Sequence, residues 1–206
     1  MSKTLPLLLA TTLLASLLSA AEPPAVILPP AQSSGGRPLM DVLRDRASRR
    51  DFAPEALPAQ TLSNLLWAAW GINRPDTGKR TAPSAMNRQD MDLYVALPEG
   101  LYLYDARLHR LVLVVAEDLR AATGTQAYVG TAPLNLIFVS RGAADAAAGG
   151  VQAGLLSENV YLFCASEGLA TVVRSSINRD TLSKAMKLAP DQQVVLAQSV
   201  GFPVKH

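Results

Sequence analysis

The segment of residues 65–105, LLWAAWGINRPDTGKRTAPSAMNRQDMDLYVALPEGLYLYD, decides the fold because it connects a helix to a sheet through a polar loop. Its first six residues are apolar and predict a helix that ends at Gly71. Residues 93–96 predict a strand, which turns at residues 98–100 into a second short strand. Helix, loop and strand pair therefore follow one another within about forty residues.

The loop in this segment concentrates hydrogen-bonding side chains: Arg80, Thr81, Ser84, Asn87, Arg88 and Gln89. A loop held between a buried helix and a sheet is a place where a protein can bind a polar, planar ligand. The alternative is a simple connection that is rich in turn-forming residues. Composition alone does not choose between the two.

Helices and strands alternate along the rest of the chain. Helices are predicted at residues 39–46, 58–71, 117–123, 151–167 and 179–188, and further strands at residues 111–115, 134–140, 170–174 and 193–201. The strand LNLIFVS is expected inside the sheet, and the helix of residues 151–167 is expected to be buried because most of its circumference is apolar. Residues 142–150 read as an Ala/Gly connection. The pattern predicts one α+β domain over residues 39–206.

Composition indicates a folded domain and excludes some partners. The chain has 206 residues, of which 49% are hydrophobic and 17% charged, with a net charge of +2. Its basic residues are scattered, so a nucleic-acid partner is not predicted. Cys164 is the only cysteine and is expected in the core, so no internal disulfide can form. Neither a metal site nor a Cys–His nucleophile is predicted.

The N-terminus has the pattern of a secretory signal peptide. Lys3 precedes an almost wholly apolar run at residues 5–18, and the small residues Ser19-Ala20-Ala21 follow. Cleavage is expected after Ala21, which predicts a periplasmic or secreted protein without stable membrane insertion. An uncleaved anchor is the alternative, although the apolar run is short for a membrane span. The Pro-, Gly- and Ser-rich residues 22–38 predict an extended arm or tether.

Arg46, Ser48 and Arg50 alternate in the sequence RASRRDF, just after the first predicted helix. Alternate residues of an extended segment share one face, so two guanidinium groups and a hydroxyl would form a clamp for a phosphate monoester. Alternatively, Arg46 complements the helix dipole and the other two side chains are solvated.

The order of several motifs resembles that of the FMN-dependent nitroreductase family. Arg-x-Ser-x-Arg-x-Phe is followed by LLWAAxGINR, then RTAPSA and Asn-x-Gln. The part up to RTAPSA is similar to the branch of thiazoline and oxazoline dehydrogenases. Further on, SENVYLFCASEGLATVVRSS resembles the family's core helix and flavin-contacting strand, and SVGFP its last strand. The resemblance covers about residues 39–205.

This resemblance implies a mostly antiparallel central sheet flanked by helices, a long buried core helix, and a homodimer that binds FMN at its interface with residues from both chains. Arg46, Ser48 and Arg50 would hold the phosphate and ribityl end of FMN, together with Lys205. Pro83, Ser84 and Asn87 would lie along the ring and ribityl chain, with Gln89 beside them. The remaining residues carried over lie where the strand approaches the ring: Val172, Val173 and Arg174.

The implied function is that of an exported oxidoreductase that transfers hydride by a ping-pong route to a nitroaromatic or quinone. Flavin carries the hydride, so no catalytic side chain is required. Arg174 is a candidate stabiliser of the anionic reduced ring, or else a surface arginine. NAD(P)H is a possible donor, but its scarcity outside the cytoplasm leaves a dehydrogenase of an exported substrate as an alternative. A non-catalytic flavin-binding protein and a secreted binding domain without flavin are the others.

Overall fold

A computed structural model describes residues 23–142 and 146–205, so the predicted signal peptide lies outside the described part. The strands are β1 Ala25–Ile27, β2 Ile72–Arg74, β3 Lys79–Arg80, β4 Met91–Leu97, β5 Gly100–Asp105, β6 Arg110–Val115, β7 Leu134–Arg141, β8 Ala170–Arg174 and β9 Gln192–Gly201. The α-helices are α1 Leu39–Asp45, α2 Ala59–Trp70, α3 Ala146–Glu167 and α4 Arg179–Ala185. Short 3₁₀ turns lie at Pro75–Thr77, Ala85–Asn87, Arg120–Thr123 and Ala127–Val129.

The seven-stranded sheet has the order β1-β6-β5-β4-β7-β9-β8, and every pairing in it is antiparallel. The predicted α+β fold with a central antiparallel sheet flanked by helices is confirmed. The strand LNLIFVS lies inside the sheet between β4 and β9, as predicted. β2 and β3 form a separate small hairpin within the polar loop.

Two apolar layers cover the two faces of the sheet. On one face α2 and α3 contribute residues such as Leu65 and Leu156, which pack with Phe138 of β7. On the other face α4 contributes Leu182, which packs with Ile137, the neighbour of Phe138. Because side chains alternate along a strand, β7 supplies both layers and is buried over all but its last residue.

Two of the predicted segment boundaries are wrong. The predicted helix of residues 117–123 is only a 3₁₀ turn at Arg120–Thr123, because the Asp118 carboxylate accepts a hydrogen bond from the backbone N–H of Arg120 at 3.0 Å. The predicted connection of residues 142–150 instead contains the start of α3 at Ala146. The high helix propensity of the alanines there offsets the low helix propensity of the two glycines that follow them. One of these is Gly149, where a Cβ atom would lie only 3.2 Å from the Ser140 Oγ, so the helix approaches β7 closely there.

The core helix α3 is less buried than predicted. In its first half, Val151 is 67% exposed and Leu155 is 39% exposed. The short helix α1 likewise buries Val42 but exposes Met40 and Leu43. Both helices therefore present apolar surface that nothing in the described part of one chain covers. None of the described helices combines the length and the apolar character that crossing a membrane requires.

The N-terminal residues 23–37 contain a short strand and are not a free tether. β1 pairs with β6, and Leu28 is buried. Further along, the backbone N–H of Gln32 donates to Asn64 of α2 at 2.8 Å, and that of Arg37 donates to Ser166 of α3 at 3.0 Å. These contacts join residues 23–37 to the same folded unit as the rest of the chain.

His109 anchors the middle of the arm. Its Nε2 lies 2.7 Å from Ser63 Oγ and 3.1 Å from the Pro29 carbonyl oxygen, and its Nδ1 lies 2.9 Å from the Tyr104 hydroxyl. The Ser63 hydroxyl also donates to the Pro29 carbonyl at 2.6 Å. Burial lowers the pKa of His109, so the folded protein favours the neutral ring.

We expect acid to weaken this anchor. A histidine whose folded pKa lies below its ordinary 6.5 supports folding fully above that pH, and its contribution is lost as the pH falls below it. Urea unfolding at pH 7.5 and 5.5 should therefore show a larger loss of stability for the wild-type protein than for His109→Gln, whose side chain does not titrate. Equal losses in both proteins would show that His109 does not couple folding to pH.

Candidate functional site

The segment that follows α1 runs extended beside strand β8. The backbone N–H of Arg49 donates to the Thr171 carbonyl at 2.9 Å, and that of Ala53 donates to the Phe202 carbonyl at 2.9 Å. These two hydrogen bonds, together with a bridge between Phe52 and Pro203, hold the segment straight. The extended conformation that the phosphate clamp requires is therefore present.

The predicted clamp residues Arg46 and Ser48 meet at one side chain, Tyr161 of α3. The Ser48 Oγ lies 2.8 Å from the Tyr161 hydroxyl, and the Arg46 guanidinium lies 5.2 Å from the centre of the Tyr161 ring. Both contacts place the two residues on the same face of the segment, as the alternation predicts.

Tyr161 is a site residue that the sequence reasoning missed. It is buried, and its hydroxyl accepts a hydrogen bond from the backbone N–H of Val173 at 3.0 Å. One phenol oxygen thus connects the clamp to the strand predicted to approach the flavin ring, and it brings Val173 together with Ser48. The only signal in the sequence is a tyrosine within the apolar run VYLFC.

Removal of the Tyr161 hydroxyl should have a measurable effect on the stability of the protein. In Tyr161→Phe the partly buried N–H of Val173 would lose its acceptor, which is expected to lower the free energy of unfolding by about 1 kcal/mol. Urea unfolding curves test this, and Tyr102→Phe is a matched control because the Tyr102 hydroxyl makes no hydrogen bond within the described residues. Equal effects of the two substitutions would mean that the Tyr161 hydroxyl has no special role.

A cationic cleft of about 550 Å³ lies at the end of the clamp segment, and we call it the Arg50 cleft. Its lining residues are Ser48, Arg49, Arg50, Asp51, Pro203 and Val204. Lys205 follows Val204 directly in the sequence and is exposed, but it is not among the residues that line this cleft. Within the described residues the exposed Arg50 side chain makes no ion pair or hydrogen bond.

The predicted loop residues also come together, mainly through Gln89. The backbone N–H of Gln89 donates to Ser84 Oγ at 3.0 Å, and its side-chain amide donates to Asn87 Oδ1 at 3.1 Å. The Gln89 Oε1 accepts from Arg80 Nε at 2.8 Å. Gln89 therefore holds the loop in shape with its own side chain.

The loop backbone is strained and firmly anchored. Met86, Asn87 and Gln89 have φ values of 53°, 56° and 51°, in a region that residues other than glycine seldom occupy. Arg80 ties the loop to α2: its guanidinium lies 4.6 Å from the centre of the Trp70 ring and donates to the Trp70 carbonyl at 2.8 Å. Burial lowers the pKa of Arg80. Strain that the surroundings hold in place is common where a protein binds a ligand.

A second cleft, of about 410 Å³, separates this loop from α3, and we call it the Gln152 cleft. It is lined by Pro83, Ser84, Ala85 and Arg88 from the loop and by Ala148, Val151, Gln152 and Leu155 from the helix. It shares no lining residue with the Arg50 cleft. One chain thus carries two separate parts of the predicted site.

The structure does not place Arg174 with the other predicted site residues. Its guanidinium donates to Ser199 Oγ at 2.9 Å, to Thr123 Oγ1 at 2.7 Å and to Asn135 Oδ1 at 2.9 Å. These partners lie on the α4 face of the sheet, whereas Tyr161 lies on the α3 face. The surface alternative is wrong as well, because Arg174 is buried and this burial lowers its pKa to about 10.

The side chains of the two clefts are therefore suited to binding a ligand. The Arg50 cleft offers guanidinium forks and a hydroxyl for an anion, and the Gln152 cleft offers apolar surface beside a rigid polar loop. Within the described residues, no group of three or more His, Cys, Asp or Glu side chains is placed to hold a metal ion. Cys164 is fully buried, and this raises its pKa, so it is an unreactive core residue as predicted.

Comparisons with known proteins agree with this geometry. Residues 43–202 match the sequence profile of the nitroreductase family. A solved structure from Ralstonia eutropha, provisionally titled a nitroreductase, is 43% identical, with a TM-score of 0.84 over 88% of this chain and 90% of that one. A protein from Methanocaldococcus jannaschii, provisionally named a nitroreductase, is 28% identical over 73% of this chain and 84% of its own length. A Parabacteroides distasonis structure, provisionally titled an NADH dehydrogenase/NAD(P)H nitroreductase, shares the fold with a TM-score of 0.60 at 16% identity. The chain therefore belongs to the nitroreductase family and is an oxidoreductase by that membership.

Proposed function

We propose that the protein is an FMN-dependent oxidoreductase that passes electrons from a donor to a small nitroaromatic or quinone acceptor. The observation that carries the proposal is the Arg50 cleft, which Ser48 and Arg50 line together beside an extended segment anchored on Tyr161. An unpaired arginine beside a hydroxyl matches the charge and hydrogen-bonding needs of a phosphate monoester.

The residues present fit FMN at both of its ends. Arg46, Ser48 and Arg50 would hold the phosphate and ribityl end, and Lys205 would add charge there. The loop with Pro83, Ser84 and Asn87 offers apolar surface and amide groups to the planar ring. Bound FMN would supply reversible hydride transfer, so this chain's residues need only bind and orient the reactants and exclude water.

A second copy of the chain would join the two parts of the site. The Arg50 cleft and the Gln152 cleft are separate in one chain. Val151, Leu155, Met40 and Leu43 expose apolar side chains on α3 and α1, and exposed apolar patches mark association surfaces. A symmetric homodimer packed through these helices would cover this surface and bring the clefts of the two chains together.

The proposal also concerns the electron donor and the cellular compartment of the protein. The Parabacteroides distasonis structure with the same fold is titled for NADH and NAD(P)H chemistry, which supports NAD(P)H as a donor. The apolar run of residues 5–18 supports export to the periplasm or beyond, where nicotinamides are scarce. A dehydrogenase of an exported substrate is therefore the second candidate, and the RTAPSA segment supports a place near the thiazoline and oxazoline dehydrogenases.

The visible absorption spectrum of the protein from residue 22 onward, after incubation with FMN and desalting, tests the proposal. Flavin bands near one FMN per chain, bleached by anaerobic NADH or NADPH, would support it. Retained bands without bleaching would favour another donor or a flavin-binding protein without turnover. A colourless protein would overturn the flavin proposal altogether.

A further inference from the structure

A third cleft, of about 270 Å³, lies where the C-terminal part of α3 and the start of β8 meet the end of α1 and the segment that follows it. We call it the Arg49 cleft. It shares Arg49 with the Arg50 cleft and shares no lining residue with the Gln152 cleft. It is therefore a separate concavity from the two that the proposed flavin site uses.

The charged side chains that line the Arg49 cleft add up to one positive charge. They are Arg37, Asp45 and Arg49. The Asp45 carboxylate pairs with the Arg37 guanidinium and also lies 3.3 Å from Arg44 Nε. The exposed Arg49 side chain makes no ion pair or hydrogen bond within the described residues. Arg49 thus keeps its guanidinium donors for a ligand that carries a single negative charge.

Both arginines of the cleft are held by the surrounding backbone. Arg37 NH1 donates to the Ala165 carbonyl at 3.2 Å, and the Arg37 backbone N–H donates to Ser166 Oγ at 3.0 Å. The backbone N–H of Arg49 donates to the Thr171 carbonyl at 2.9 Å. Donors that are already positioned lose less freedom when a ligand binds, which favours binding.

The remaining walls of the cleft are largely apolar. Ala47, Tyr161, Ala165 and Leu169 supply apolar groups, and both Tyr161 and Leu169 are buried. The volume of about 270 Å³ lies just below the range of roughly 300–1,000 Å³ that small-molecule sites occupy. The cleft is therefore suited to a compact apolar body, such as a single ring, with one anionic group.

We propose that the Arg49 cleft binds a small organic carboxylate. The fork of the Arg49 guanidinium matches the two carboxylate oxygens, and the apolar body of the ligand lies against Ala165 and Leu169. This binding site is additional to the proposed function, because no part of FMN is assigned to it.

The effect of such a ligand on flavin binding rests on the proposed function. Arg49 lines both its own cleft and the Arg50 cleft. A carboxylate that pairs with Arg49 lowers the positive charge available to the flavin phosphate. The two ligands therefore oppose each other's binding, and by linkage each raises the Kd of the other by the same factor.

NMR titration of the ¹⁵N-labelled protein with benzoate tests the binding site. The backbone amide of Gly168 is the reporter, because Gly168 lines the cleft, and its signal should shift and saturate. Benzamide has the same shape without the charge, and its Kd should be about fivefold higher, the upper end for a solvent-exposed ion pair. Acetate lacks the ring and should bind more weakly than benzoate.

Substitutions identify the residue that recognises the charge. In Arg49→Ala the Kd for benzoate should rise to that for benzamide. Arg107→Ala removes an exposed charge from the turn between β5 and β6 and should leave it unchanged. A Gly168 signal that does not move, or equal Kd values for benzoate in the wild-type protein and Arg49→Ala, would overturn the site. Inorganic phosphate that binds more tightly than benzoate would overturn the choice of a carboxylate.

The opposition between the two clefts has its own measurement. The Kd for FMN should rise about two- to fivefold in saturating benzoate, and this increase should disappear in Arg49→Ala. An equal Kd for FMN with and without benzoate would refute the opposition. Failure of the proposed function would be seen separately, as a protein that retains no FMN but still shows the Gly168 shift with benzoate.

Discussion

Replacement of Phe138 by alanine is expected to lower the free energy of unfolding by about 3–5 kcal/mol. Phe138 is fully buried in β7, where it pairs with Leu93 of β4 and with Leu196 of β9. Its ring belongs to the apolar layer that joins the sheet to α2 and α3. Truncation would leave a cavity that rigid neighbours on both strands cannot fill.

Urea unfolding of the wild-type and Phe138→Ala proteins measures this effect. Ile27→Ala is the control, because Ile27 is 71% exposed and should change stability by no more than about 0.5 kcal/mol. A loss below about 1.5 kcal/mol in Phe138→Ala would mean that β7 is not the packed centre that the structure describes.

Arg50→Ala is expected to raise the Kd for FMN more than tenfold. A charge-assisted hydrogen bond to phosphate contributes about 1.5–3 kcal/mol, and 1.4 kcal/mol corresponds to a factor of ten. The exposed Arg50 side chain makes no ion pair or hydrogen bond within the described residues, so its loss should act on the ligand and leave the fold intact.

Quenching of flavin fluorescence during titration gives the two dissociation constants. Arg107→Ala removes the same charge from the exposed turn between β5 and β6, and it should leave the Kd unchanged. An unchanged Kd in Arg50→Ala would refute the phosphate clamp, and equal increases in both variants would indicate a general effect of net charge.

The sequence predicts well those features that depend on local patterns. The apolar run LNLIFVS identifies β7. The alternation of Arg46 and Ser48 identifies their common face, because side chains of an extended segment repeat with a period of two. Gly71 and the Pro–Glu–Gly turn mark boundaries that the structure confirms to within a residue or two. Helix α2 and the sheet strands β4 to β9 follow from the same signals, whereas β1 does not.

Features that depend on contacts between residues far apart in the chain could not be predicted from the sequence. The hydrogen bond between Tyr161 and Ser48 joins residues 113 positions apart, and no sequence pattern near Tyr161 indicates it. Arg174 looks like other arginines in sequence, yet Thr123, Asn135 and Ser199 converge on it from three other parts of the chain. The arm reads as a tether because proline and serine are typical of linkers, whereas its partners on β6, α2 and α3 are far away in sequence.

The two margins of the sheet have a consequence for how the protein can associate. β1, bordered by Pro23, Pro24, Pro29 and Pro30, closes the margin at β6, and the segment with Arg49 lies along β8 at the opposite margin. Prolines cannot donate backbone hydrogen bonds, so a foreign strand finds little to pair with beyond β1. This arrangement disfavours strand addition at either margin and the fibrous aggregation that it seeds.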